Sequence, residues 1–161
     1  MPKGSAELTM ARREEIINAC ASLYETMSFK EITIKEIGKA TSFTRTSIYN
    51  YFQTKEEIFL ALLQREYELW IGRLQQIQAE HEQMTRLEFA QALAHSLEER
   101  ENMLKIMSMN HYDMEENSRM ERLVDFKVAY GKSLAEVRNC LDKFFPDMMV
   151  HDKQDFIFSF F

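Results

Sequence analysis

The stretch Thr33–Glu57, TIKEIGKATSFTRTSIYNYFQTKEE, decides how the rest of the chain is read. Thr33 stands where a helix N-cap belongs, and Glu36, three residues on, completes a capping box. Ile34, Ile37 and Ala40 recur at three-residue steps and give this helix one apolar side. Thr41-Ser42-Phe43-Thr44 reads as a turn with its own apolar plug and a fresh cap. Thr44 then opens a helix of about two turns, with Ile48 and Phe52 facing inward. Its outward residues are Arg45, Thr46, Ser47, Tyr49 and Asn50, with Tyr51 to one side. From Lys39 to Thr54 there is no carboxylate. A face of guanidinium, hydroxyls, amide and phenols without an acid suits a polyanion, and a helix of this size fits the major groove of duplex DNA.

The surrounding composition is compatible with that reading once charge is located. The net charge of −6 by itself discourages nucleic-acid binding. Residues 1–55, however, carry 8 Lys and Arg against 6 Asp and Glu, whereas residues 56–161 carry 12 against 20. A small basic head on an acidic body fits site-specific binding better than a long nonspecific footprint. Apolar residues at 45% exclude a disordered chain, and 161 residues suffice for a small head plus a larger body. With 4 Gly and 2 Pro there is little to interrupt long helices, and 11 Met suit helical packing. Cys20 and Cys140 sit among apolar neighbours and form neither a disulfide framework nor a zinc signature. The N-terminus lacks a signal-peptide run and no apolar run approaches a membrane span, so the cytoplasm is the default location.

Working outward, residues 1–8 read as a loose arm in which Lys3 is able to reach a phosphate. A first helix follows from Thr9 or Met10 to about Met27, with Ile16, Ala19, Cys20, Leu23 and Met27 as its buried stripe. Thr54 and Glu57 form another capping box, and a long helix runs from Lys55 to about His81. Gly72 within it reads as tolerated rather than required. Thr85 with Glu88 opens a helix through Leu97, and Met103 to Met109 form a short one. Residues 110–117 read as loop, and Ser118 with Glu121 caps a helix that Pro146 stops. A last helix restarts at His151 or Asp152 and ends in the aromatic run FIFSFF. Such an end implies a C-terminally truncated sequence, with a dimer-forming surface still to follow.

The segment from about Arg12 to Phe59 resembles the DNA-binding domain of TetR-family transcriptional regulators. The likeness includes Ile17, Ala19, Leu23 and Tyr24, then Thr33 and Ile37. It is densest in Ser47-Ile48-Tyr49-x-Tyr51-Phe52-x-x-Lys55-Glu56-Glu57. Family members carry glycine at the places of Ser28 and Ser42, so each serine either accepts a strained φ or reshapes its turn. The resemblance implies an all-α, TetR-like fold: a helix-turn-helix head at residues 9–54 and a helical ligand-binding and dimerisation body at 55–161. It implies a pocket in that body, with Trp70, Leu74, Phe89, Met103, Met107, Phe126 and Tyr130 as its soft walls; by periodicity alone these are ordinary core residues. In the family the last two long helices commonly build the dimer.

The expected function is a ligand-responsive repressor that binds a palindromic operator as a homodimer, with a small hydrophobic effector and no cofactor. Arg45 reads guanine and Asn50 reads adenine, each pair worth roughly 1–3 kcal/mol of discrimination. Thr46 and Ser47 touch thymine methyls or phosphates. Thr33, Tyr49, Tyr51 and Lys55 clamp the backbone, and Thr44 stands with them as the cap of the reading helix. The long fourth helix places Lys55 roughly 22 Å from Trp70, long enough to carry a tilt from pocket to head. The alternative is a helical protein–protein interaction module that binds no DNA. An enzyme reading would need His111, Asp113 and Glu115, or the His95–Glu99 pair. Neither makes an H-E-x-x-H site, and no nucleophile elbow, P-loop or dinucleotide fingerprint is present.

Overall fold

A computed structural model describes residues 3–109 and 111–161, and nine helices are the regular elements among them. They are α1 (Lys3–Tyr24), α2 (Ile34–Lys39), α3 (Arg45–Ile48), α4 (Lys55–Glu80) and α5 (Arg86–Glu98). After these come α6 (Glu101–Met107), α7 (His111–Glu116), α8 (Met120–Phe144) and α9 (Val150–Phe160). The expected all-α architecture is present. Among the described residues no helix is long and apolar enough to cross a membrane.

The chain divides into two compact units. The first takes the residues up to Leu63 together with Lys105–Phe126; the second takes Gln64–Leu104 and Lys127–Phe161. In the first unit, Ile16, Cys20, Tyr24, Ile37, Ile48, Phe52 and Phe59 are buried. Phe59 is the hub: Tyr24 meets it edge-on at 5.0 Å and Phe29 at 4.8 Å. Ile106 and Met114 from the later segment are buried in the same unit. The Tyr24 hydroxyl donates to the Met109 sulfur at 3.2 Å.

The second unit has a buried core of Trp70, Leu74, Ile77, Phe89, Met103, Val137 and Cys140. Its interior polar groups are paired, as burial requires. The Trp70 indole donates to the Ser96 hydroxyl at 2.8 Å, which in turn donates to the Leu93 carbonyl at 2.6 Å. Glu66 pairs with Arg100 at 3.1 Å, and Lys153 reaches from α9 to Asp142 on α8 at 2.7 Å.

Threonine side chains cap four of the helix starts. Thr85 and Glu88 form a complete capping box, and Thr33, Thr44 and Thr54 each accept an amide three residues on. Four expectations are corrected. Helix α1 begins at Lys3 and ends at Tyr24, so the residues read as a loose arm are helical from Lys3; the Lys3 side chain lies outside the described ones. Its early end is sealed by Lys105, whose ammonium lies 3.9 Å from the Tyr24 ring centre and binds the Tyr24 and Met27 carbonyls. Residues 111–116 are helix rather than loop: buried Met114 anchors the turn, while Asn117 and Ser118 close its end by bonding to Asp113 and Met114 carbonyls. Ser118 is therefore not the cap of a box with Glu121, which instead pairs with Arg119 at 3.1 Å. His95 pairs with Glu98, not Glu99, at 3.1 Å.

Gly72 and Gly131 lie inside α4 and α8, and a Cβ at either place would meet nothing within 4 Å. Nothing in the packing requires glycine there. Gly72→Ala and Gly131→Ala should each stabilise the fold by about 0.5–1 kcal/mol, measured as a rise in the urea midpoint at unchanged m-value.

Candidate nucleic-acid interface

The reading segment is short and held from behind. Thr44 takes an extended backbone and its hydroxyl accepts from the Ser47 amide at 3.2 Å. Ile48 and Phe52, both 0% exposed, pin the inner side. Helix α3 proper is one turn rather than two. Beyond it the chain tightens into i→i+3 bonds, Asn50 N–H to the Ser47 carbonyl at 3.2 Å and Tyr51 N–H to the Ile48 carbonyl at 2.9 Å. Arg45, Thr46, Tyr49 and Asn50 are exposed, while Ser47 and Tyr51 are half-buried. The Tyr51 ring leans on Phe43 at 6.4 Å, and the Arg12 guanidinium covers the other ring at 5.8 Å. Six of the nine proposed contact residues thus follow one another along a single surface strip from Arg45 to Tyr51.

The turn leading into α3 settles what the two serines do. Among the described residues no residue has a positive φ, so neither Ser28 nor Ser42 is strained. At Ser42 the turn is instead fastened to α1. The Glu15 carboxylate accepts both the Ser42 amide at 2.8 Å and its hydroxyl at 2.9 Å. These bonds, the amide first, hold the Glu15 carboxyl below the usual glutamate range. At Ser28 the carbonyl and the hydroxyl both accept from the Glu31 amide, at 3.1 and 3.3 Å.

Thr33 is exposed and caps α2, accepting from the Glu36 amide at 3.2 Å; the Glu36 carboxylate pairs with Lys39 at 3.5 Å instead of closing the box. Lys55 is placed otherwise than a free phosphate clamp. Its ammonium donates to the Phe29 carbonyl at 2.7 Å and the Ile32 carbonyl at 3.0 Å, over the Phe29 ring at 4.1 Å. Burial pulls its pKa below the usual lysine value. In this position Lys55 ties the α1–α2 loop to the first turn of α4.

The second unit contains a cavity of about 1040 Å³. Its walls are Phe89, Ala90, Leu93, Ala94 and Leu97 of α5, Leu141 and Phe144 of α8, Phe145 to Met149, and Phe156 and Phe160 of α9. Arg86, Asp147 and Asp152 supply its charged groups. Of the seven residues expected to line a pocket, Phe89 does so. Trp70 lies one layer behind, stacked on Phe160 at 6.2 Å. Leu74 and Met103 are buried in the same unit, and Tyr130 meets Tyr67 edge-on at 5.7 Å. Met107 and Phe126 belong to the first unit. The spacing of Ala90, Ala94 and Leu97 along one side of α5 was the available signal for this wall, since small residues on a helix leave room beside it. Among the described residues no cluster of His, Cys, Asp or Glu could hold a metal ion.

With this geometry in place, the comparisons are specific. Residues 16–62 match the family of bacterial regulatory proteins, tetR family, and residues 64–161 match the tetracyclin repressor-like C-terminal domain. The second match alone spans more than half of the chain. The chain belongs to the TetR family. The structure of a fatty acid degradation regulator, FadR from Bacillus halodurans, is similar at a TM-score of 0.63 and 16% identity, over 92% of this chain and 79% of that one. At that identity the likeness shows the fold alone. An uncharacterized HTH-type transcriptional regulator of Bacillus subtilis, YdgC, is 37% identical over 51 residues. That match spans 32% of this chain and 26% of the relative, about a quarter of its length.

The segment has two supports outside the exposed strip, Lys55 beneath the α1–α2 loop and Glu15 beneath the turn into α3. Replacing Lys55 by Met keeps the stem over Phe29 but strips two carbonyls of their donor. Thermal or urea unfolding should show a loss of about 1.5–3 kcal/mol, the range for hydrogen bonds to a charged group. The salt slope of duplex binding should move by less than the full unit that a phosphate contact carries. Glu15 gives a pH dependence of definite sign. A carboxyl with a depressed folded pKa contributes fully above its unfolded value, and the contribution is lost as pH falls through the folded one. Ser42 amide protection, corrected for intrinsic exchange, should therefore hold from neutrality to the usual glutamate range and drop below it. In Glu15→Ala, which has no acceptor, it should be low throughout.

Proposed function

We propose that this protein is a sequence-specific, DNA-binding transcriptional regulator that grips a palindromic duplex as a homodimer and answers to a small apolar ligand. The observation that carries the reading is the exposed strip from Arg45 to Asn50, rich in donors, free of carboxylates and mounted on a buried Ile48 and Phe52. In this reading residues 9–54 form the reading head and residues 55–161 the regulatory and dimerising body. Arg45 and Asn50 face base edges, and Thr46 and Ser47 face thymine methyls or phosphates. Tyr49, Tyr51, Thr33 and Thr44 line the phosphate path, and Lys55 supports it through the loop it ties down. One head covers too few base pairs to select a genomic site, whereas two heads on a palindrome multiply the discrimination.

The ligand side of the reading rests on the cavity in the second unit. At about 1040 Å³ it is at the upper end of small-molecule sites, and its walls are mostly apolar and aromatic. The lining, mostly phenylalanine, leucine, alanine and methionine, makes an apolar molecule the first choice of effector. Such a ligand alters operator affinity only by binding the DNA-competent and DNA-incompetent states unequally. Trp70 is the single tryptophan and stacks on Phe160 of the cavity wall, so its fluorescence reports occupancy directly.

Selection from a random duplex pool tests the function. The protein should enrich a palindrome, with binding that weakens steeply as salt rises. In competition over single-base variants of that palindrome, Arg45→Ala should lose roughly 1–3 kcal/mol of discrimination at one position per half-site and leave the others unchanged. A pool that returns no enriched sequence favours the protein-interaction alternative.

A further inference from the structure

The carboxylate of Glu57, 1% exposed, is held by four donors. Arg119, the residue just before α8, grips it with a fork: Nε to Oε2 at 2.9 Å and Nη2 to Oε1 at 2.9 Å. The Arg119 backbone amide adds a third bond to Oε2 at 2.8 Å. The fourth donor is the Gln53 amide, 2.9 Å from Oε1. Burial pushes the Glu57 carboxyl up, but these donors outweigh it and hold the group below the usual glutamate range. Two more bonds reach the same stretch: Arg119 Nη2 to the Tyr51 carbonyl at 3.4 Å, and the Thr54 hydroxyl to the Asn117 carbonyl at 2.9 Å.

We propose that Arg119 is a positioning residue for sequence reading, fixing the segment Tyr51–Thr54 and through it the angle at which the Arg45–Asn50 strip meets a duplex. The role rests on the DNA-binding reading above. Helix α3 is too short to hold its own direction, since a single turn leaves its ends without intrahelical partners. Its entry is fastened by Thr44 and by the Glu15–Ser42 bonds; its exit is fastened by the fork. Arg119 lies 68 residues from Tyr51 in sequence and bonds its carbonyl, while the Glu57 carboxylate it grips holds the Gln53 amide, so the register does not depend on what side chains 51 and 53 are. A planar guanidinium fixes distance and angle together, and an ammonium does not. Lysine at this place keeps the charge and loses the geometry.

The test uses the full chain and the duplex enriched from a random pool, with a scrambled duplex beside it. Arg119→Lys and Arg119→Met should lower affinity for the enriched duplex tenfold or more, with scrambled-duplex affinity and salt slope unchanged. Arg100→Met is the control. It breaks a part-buried ion pair with Glu66 inside the second unit, and should reduce stability while leaving the ratio of specific to nonspecific affinity at the wild-type value. If Arg119→Met does not fold, Arg119→Lys decides, together with exchange protection of the Gln53 amide, which should fall. A ratio within twofold of wild type in folded Arg119→Lys overturns the role. So does a ratio lost equally in Arg100→Met, which would make stability the cause. Equal loss on both duplexes, with a lower salt slope, also overturns it by making Arg119 a phosphate contact. A wild-type chain that enriches no duplex overturns the DNA-binding reading and this role with it, before any variant is compared.

Discussion

A head built on one long helix and two very short ones has more backbone polar groups than it can satisfy itself. Helices of six and four residues are nearly all ends, and each end exposes amides or carbonyls that no intrahelical bond reaches. The rest of the first unit follows from meeting that demand. Threonine hydroxyls take the amides at three N-termini, and carboxylates of Glu15 and Glu57 take those of Ser42 and Gln53. Ammonium groups of Lys55 and Lys105 take the carbonyls left where α1 ends and the chain crosses to α2. Acids serve orphaned donors and lysines serve orphaned acceptors. This division leaves the outward strip from Arg45 to Asn50 without structural duties beyond the Ser47 cap, and so free for a ligand.

What the sequence showed of this follows from the range of each interaction. A cap bonds three residues ahead and a helical stripe repeats every three or four, so both leave a signature in a short window. Thr33, Thr44, Thr54 and Thr85 were legible for that reason, as were Ile48 and Phe52 on the inner side of the reading segment. Glu57 was half legible: its amide does bond Thr54, but its carboxylate passes over Thr54 to Gln53 and to an arginine 62 positions away. No local pattern records such a partner. The place of Lys55 at a helix start favours an anion by a local rule, and that rule gives no hint of the two carbonyls that the α1–α2 loop supplies to its ammonium. Helix α7 has one buried apolar residue, Met114, too few for any periodicity to register.

The cavity was harder still. Large buried residues attract attention as pocket candidates, yet a fully buried tryptophan with a satisfied indole is wall structure behind the surface that a ligand touches. The residues that make room are the small ones, Ala90 and Ala94, together with a bend at Phe145 to Met149 that sequence alone gives no reason to place opposite α5. Trp70 is of value for the opposite reason from the one its size suggests. It stacks on Phe160 of the cavity wall without lining the cavity itself.

The discontinuity of the first unit bears on how such regulators are recombined. The two family segments meet between residues 62 and 64, an inviting splice for a hybrid that keeps one protein's operator and borrows another's effector. Yet Lys105, Asn117 and Arg119 lie beyond that junction and fold with the residues before it. A chimera joined at Leu63 would transplant Glu57 without its arginine and the end of α1 without its lysine. Portability of the head thus depends on grafting 105–126 along with it, or on a recipient whose corresponding segment already offers the same donors.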